Sequence, residues 1–185
     1  MTKRIVLGSG KLYVVEAVAA QGGGYTIPAD NIIETSANQL GYIQGGATLE
    51  YTPEFYEAKD DLGYVSKKYL TDEQAILRSG IMTWNGETLE KLASTATVTT
   101  DDEQNPTKRT VKIGGIDNYD NTQYVIRFVH EDETDGDIRL TIVGSNESGF
   151  EMQFAKDAET VINAEFKAVP NDNTGTLIIY EEEIV

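Results

Sequence analysis

A search for catalytic chemistry begins with the single histidine, His130. One histidine excludes any site built on several imidazoles, and a Ser-His-acid arrangement would have to form around this residue alone. His130 closes an apolar run and precedes Glu131 and Asp132, a setting that reads as a structural histidine. The segment Gly144-Ser145-Asn146-Glu147-Ser148-Gly149 has no serine two residues after one glycine and two before another. It therefore lacks the spacing of a nucleophile elbow and reads as a turn. Gly22-Gly23-Gly24 has neither the third glycine of a dinucleotide fingerprint nor a phosphate-loop lysine, and reads as flexible backbone. The acidic run from Glu131 to Asp137 would need a carboxylate at its twelfth position to be a calcium loop, but Ile142 stands there. Asp117, Asn118 and Asp120 fail in the same way, and a hairpin tip is the simpler reading. With no cysteine in the chain, disulfides, thiol catalysis and thiolate metal sites are excluded. No catalytic, cofactor-binding or metal site is expected.

The elements that would have to position such residues are mostly strands. The 185 residues suffice for one good core, and abundant Thr, Val, Ile, Tyr and Gly with only 4 prolines favour sheet. The expectation is a mainly β fold in one domain over 1–185, an antiparallel sandwich or barrel-like sheet with one flanking helix and a long extended loop. Strands are predicted at Lys11–Ala19, Tyr42–Tyr51, Arg109–Ile113, Gln123–His130, Ile138–Val143, Phe150–Phe154, Thr160–Ala168 and Thr176–Tyr180. Alternation is clear in Tyr124, Ile126, Phe128 and in Ile138, Leu140, Ile142, and recurs in Phe150, Met152, Phe154. Residues 21–38 are broken by glycines and Pro28 and read as loop or arm, and Thr99–Pro106 reads as a polar linker. One helix is expected from Asn85 to Ser94, with Asn85 as N-cap, Glu87 in the first turn, and Leu89, Leu92 and Ala93 on one face. Ala75–Trp84 fits a buried strand at least as well as a helix, since Gly80 would interrupt the latter.

Residues 54–70 combine aromatic and charged side chains. Glu54, Phe55, Tyr56, Lys59, Asp60, Asp61, Tyr64, Lys67 and Lys68 form a two-legged hairpin or stacking loop in this reading, with Pro53 ending the preceding strand. Such a segment suits a contact surface, because tyrosine offers area together with a hydroxyl. It equally suits an edge hairpin guarded by lysines against aggregation.

The formal net charge of −16 disfavours nucleic-acid binding, because phosphate finds few cationic partners. Lys3 and Arg4 begin what could be a leader, but Gly8, Ser9, Gly10, Lys11 and Glu16 interrupt it. No apolar run approaches a membrane span, so the chain reads as neither exported nor membrane-inserted.

The block Ile43-Gln44-Gly45-Gly46-Ala47-Thr48-Leu49-Glu50-Tyr51, the charged hairpin after it, and Gly80-Ile81-Met82-Thr83-Trp84-Asn85 resemble the tail tube (major tail) proteins of long-tailed bacteriophages. So do Tyr124–His130, Gly136–Gly144, Gly149–Phe154 and Asn173–Ile179. The resemblance implies a β-sandwich flanked by a helix, with six subunits per ring around a continuous inner barrel and rings stacked into a hollow tube. It implies the chain itself as principal partner, together with tape-measure, tail terminator and tail-tip proteins. Double-stranded DNA would pass through without specific binding, no cofactor is implied, and the location would be the virion tail after assembly in the host cytoplasm. By the same resemblance residues 54–70 would make ring-to-ring contacts and residues 1–10 would form an arm ordered by assembly. The competing readings are another tail component (terminator, tip or contractile-particle tube) and a β-sandwich carbohydrate-binding module. The module would want exposed tryptophans, and the lone Trp84 is expected in the core.

Overall fold

The computed structural model describes residues 6, 8–64, 66–103 and 105–184. Twelve strands are present among them: β1 (Lys11–Glu16), β2 (Val18–Ala19), β3 (Tyr25–Thr26), β4 (Gln39–Gly41), β5 (Ile43–Lys59), β6 (Ser66–Ile81), β7 (Ala96–Asp101), β8 (Lys108–Ile113), β9 (Tyr124–His130), β10 (Ile138–Asn146), β11 (Ile162–Val169) and β12 (Ile179–Glu182). Two α-helices, α1 (Asp30–Ile33) and α2 (Gly86–Leu92), accompany them.

Eight strands make the main antiparallel sheet, in the order β4-β1-β9-β10-β11-β6-β5. β12 shares an edge of β10 with β11: Ile138–Thr141 pair with β12 and Val143–Asn146 with β11. The sheet curls until its ends meet, because β4 and β5 are one run of chain separated only by Tyr42. Tyr42 fastens the seam, its amide donating to Thr83 Oγ1 at 2.7 Å and its carbonyl accepting from the Met82 amide at 2.7 Å. The mainly β, barrel-like fold with a flanking helix is therefore present.

Alternation sets what fills the barrel. Leu12 and Val14, Ile126 and Phe128, Ile162, Ala164, Phe166 and Ala168, and Ala75, Leu77 and Ile81 all point into one core. α2 closes one side with Leu89 and Leu92. Its start is fixed by Asn85, whose Oδ1 accepts from the Thr88 amide at 3.0 Å while Thr88 Oγ1 accepts from the Asn85 amide. On the outer face of the sheet, Tyr13, Val125, Val129 and Val143 form a second cluster, roofed by Ile33, Tyr25 and Ile27.

Several expectations are corrected. Residues 21–38 are not all loop: they carry β3 and α1, which cover the second cluster. The glycines at their start permit close approach rather than flexibility. A Cβ on Gly24 would stand 2.3 Å from the Asn171 carbonyl oxygen, which accepts the Tyr25 amide at 2.9 Å. Pro53 does not end its strand, because β5 is terminal in the sheet and its outer edge needs no amide donor there. Thr99–Asp101 pair with β8 instead of serving as linker. Ser145 and Asn146 continue β10, since β11 pairs with them at Lys167 and Phe166. Phe150–Phe154 is no strand despite its alternation. Phe150 and Met152 pack on the core, and Phe154 stands edge-on to Trp84 with ring centroids 6.3 Å apart. Trp84 is half-buried against the core rather than inside it. Residues 1–5 and 7 of the expected arm, and Val65 of the hairpin, lie outside the described residues. The last two residues of that arm lie against β9: the Ser9 carbonyl accepts a hydrogen bond from His130 Nδ1 at 2.7 Å, and Gly10 abuts Val129 and Phe128. That contact accounts for the one histidine.

Candidate functional site

The most distinctive surface is the outer part of the β5–β6 hairpin. The two strands pair from Ile43↔Ile81 out to Lys59↔Ser66. β11 covers β6 only from Ile76 to Ile81, so everything beyond Ala75 is a free two-stranded ribbon. At about 3.4 Å per residue, the stretch from Tyr51 to Lys59 reaches roughly 27 Å from the barrel.

Cross-strand register assigns its two faces, since directly opposed residues share a side and successive residues alternate. The first face continues the barrel interior from Leu49↔Leu77 through Tyr51↔Ala75 and Pro53↔Glu73. A bulge at Thr71 then keeps Phe55 opposite Leu70, followed by Glu57↔Lys68 and Lys59↔Ser66. Tyr51, Phe55 and Leu70 on this face are exposed, with no layer over them among the described residues. The second face carries Glu54↔Asp72 and Tyr56↔Tyr69, then Ala58↔Lys67. Two carboxylates directly opposed, as at Glu54 and Asp72, repel one another unless a cation lies against them.

All nine residues singled out from the sequence lie on this ribbon. Lys68 Nζ sits 5.5 Å from the centre of the Phe55 ring, and Lys67 Nζ 4.8 Å from that of Tyr69. Lys59 pairs with Glu57 at 3.1 Å. Asp60, Asp61 and Tyr64 make the turn, closed by the Gly63 amide donating to the Asp60 carbonyl at 3.0 Å. Sequence reasoning passed over Tyr51 and Glu73, because Pro53 seemed to end the strand before they could face each other. They meet at 2.7 Å, and that hydrogen bond to a carboxylate holds the Tyr51 hydroxyl pKa above its usual value.

A second polar assembly went unseen in the sequence. Arg127 lies on the outer face of β9 with its side chain 3% exposed. It donates from Nε to Thr141 Oγ1 at 2.9 Å, pairs with Asp30, and reaches Glu34 at 3.3 Å and Glu181 at 3.7 Å. Arg139 holds Glu34 at 2.8 Å, Glu183 at 2.8 Å and Asp137 at 3.3 Å. Hydrogen bonds to Glu34 and Glu183 raise the Arg139 pKa further, and Arg139 in turn pulls the Glu183 carboxyl below its ordinary range. Two arginines thus clasp α1 and β12 to the sheet. No alternation rule distinguishes an arginine buried under a short helix from one facing water.

Among the described residues no group of three or more His, Cys, Asp or Glu side chains could hold a metal ion, and no helix is long and apolar enough to cross a membrane. No protein-family model matches the chain, and no curated protein matches it in sequence.

Proposed function

We propose that this chain is a structural subunit of a bacteriophage tail tube, assembling with copies of itself into stacked rings around a channel for double-stranded DNA. The observation that carries the reading is the β5–β6 ribbon, a long projection whose Tyr51, Phe55, Tyr56 and Leu70 are exposed in the single chain. Exposed aromatic residues are what protein interfaces enrich at their centre, with polar groups at the rim. The resemblance implies a β-sandwich flanked by a helix, and the chain shares with that architecture a mainly β antiparallel fold with a flanking helix. The net charge of −16 suits a conduit through which phosphate slides without finding cationic anchors. Tape-measure, terminator and tail-tip proteins would be its further partners, and the virion tail its location.

Deleting Asp60–Gly63 tests the reading. The shortened chain should remain folded and soluble, with unchanged far-ultraviolet circular dichroism, and should form no tubes under electron microscopy. Normal tubes from the deletion variant would remove the ribbon from ring stacking.

A further inference from the structure

β10 and β6 each run antiparallel to β11, and Ser145 and Ile76 both pair with Lys167, so the ribbon leaves the barrel level with the end of β10 and points away from it, toward Ile138. Beside that end of β10 a cavity of about 390 Å³ lies between the end of α2, the end of β8 and the loop after β10. Leu92, Ile113, Tyr119, Asn146, Glu147 and Phe150 line it. Ile113 and Tyr119 are both exposed. Asn146 is buried, and its Nδ2 donates to the Leu92 and Gly149 carbonyls at 2.8 Å each, while its Oδ1 has no partner among the described residues. A buried amide oxygen left without a donor is costly.

The ribbon tip has complementary chemistry. Leu62 and Tyr64 are 76% and 83% exposed. Residues 59–68 carry three lysines (59, 67, 68) against two aspartates (60, 61), a net of +1 within a chain of −16. The groove carries Glu147, and the cavity beside it, which shares Thr122, Ser145 and Asn146, adds Glu16, Glu90 and Asp120. Of the lysines there, Lys91 has its Nζ on the Val14 carbonyl at 3.1 Å and Lys167 stands 3.6 Å from Glu147, which leaves Glu16, Glu90 and Asp120 as the acidic rim.

We infer that the ribbon tip of one copy docks in the α2-end groove of the next, Leu62 and Tyr64 entering between Ile113, Tyr119 and Phe150 while Lys67 and Lys68 approach the acidic rim. The inference rests on the self-assembly reading and deepens it by naming the receiving surface. Tip and groove are different patches, and the ribbon points away from the groove, so the contact is heterologous and propagates with one polarity.

Because the chain has no cysteine, engineered thiols report this contact alone. The variant carrying both Leu62→Cys and Ile113→Cys, assembled and then oxidised, should give a ladder of disulfide-linked multimers on a non-reducing gel. Neither single variant should do so. Tyr119→Cys in place of Ile113→Cys places a second reporter in the groove. Tubes seen by electron microscopy with no ladder from either pair would overturn the docking and leave the tube reading standing. A ladder without tubes would support the docking and count against the tube. Absence of both would remove both, and a Leu62→Cys single variant linked to itself would mean tip-to-tip contact and overturn the inference.

Discussion

Replacing Arg127 by methionine keeps much of the aliphatic stem and removes the charge at the centre of the outer-face clasp. Three costs follow. Thr141, fully buried, loses the guanidinium that its hydroxyl meets at 2.9 Å, worth about 1–2 kcal/mol. Glu34, whose side chain is only 18% exposed, keeps Arg139 at 2.8 Å but loses its second cation, about 1 kcal/mol more. Asp30 and Glu181 are more than half exposed and are rehydrated, so each adds little, about 0–1 kcal/mol. The sum is about 3 kcal/mol. With a urea dependence of about 2 kcal/mol per molar, the unfolding midpoint should fall by about 1.5 M. Trp84, the only tryptophan, reports the transition by fluorescence. In the Arg127→Met/Thr141→Val double variant no buried hydroxyl is left over, so the loss should be smaller than the two single losses added, by about 1 kcal/mol. A midpoint shift below about 0.3 M for Arg127→Met would refute the claim that the clasp holds α1 and β12 to the barrel.

Two further outcomes are expected. Gly144→Ala would put a Cβ 2.0 Å from the Lys167 carbonyl oxygen across the β10–β11 pair, where only backbone can yield, so the thermal midpoint should drop by the equivalent of about 1–3 kcal/mol. An unchanged midpoint would contradict that close approach. Glu165, whose carboxyl is held below its ordinary 4.5 first by Arg78 and then by the Ser148 hydroxyl, should make stability sensitive to acid. Because the folded value lies under the unfolded one, this contribution is present above about 4.5 and disappears as pH falls through the depressed value. Glu165→Gln should flatten that part of the urea-midpoint profile, and an identical profile would contradict the assignment.

What could be read from the sequence follows local rules. The alternation of Tyr124, Ile126 and Phe128 against Arg127 and Val129 marks β9, and Asn85 marks the start of α2, because pleat and cap are decided within a few residues. The nine hairpin residues were brought together for the same reason: two charged, aromatic legs around Asp60–Gly63 fold back on themselves. What was illegible depended on distant chain. Phe150, Met152 and Phe154 alternate as a strand does, yet no partner edge is offered to them, so they pack over the core and on Trp84 instead. Pro53 reads as a terminator unless the strand is known to lie at the sheet edge. Arg127 shows no sign of burial until α1, nearly a hundred residues earlier, is laid over it with Asp30 and Glu34. Asn146 looked like turn chemistry, while its buried amide ties β10 to the end of α2.

The proposed role requires this chain to build tubes from copies of itself. Negative-stain electron microscopy of the purified protein across a concentration series, with light scattering alongside, reads that out. Stacked rings or hollow tubes with a central channel are expected to appear as concentration rises. A protein that remains monomeric at every concentration, including in the presence of tail-tip initiator complexes, would contradict that role.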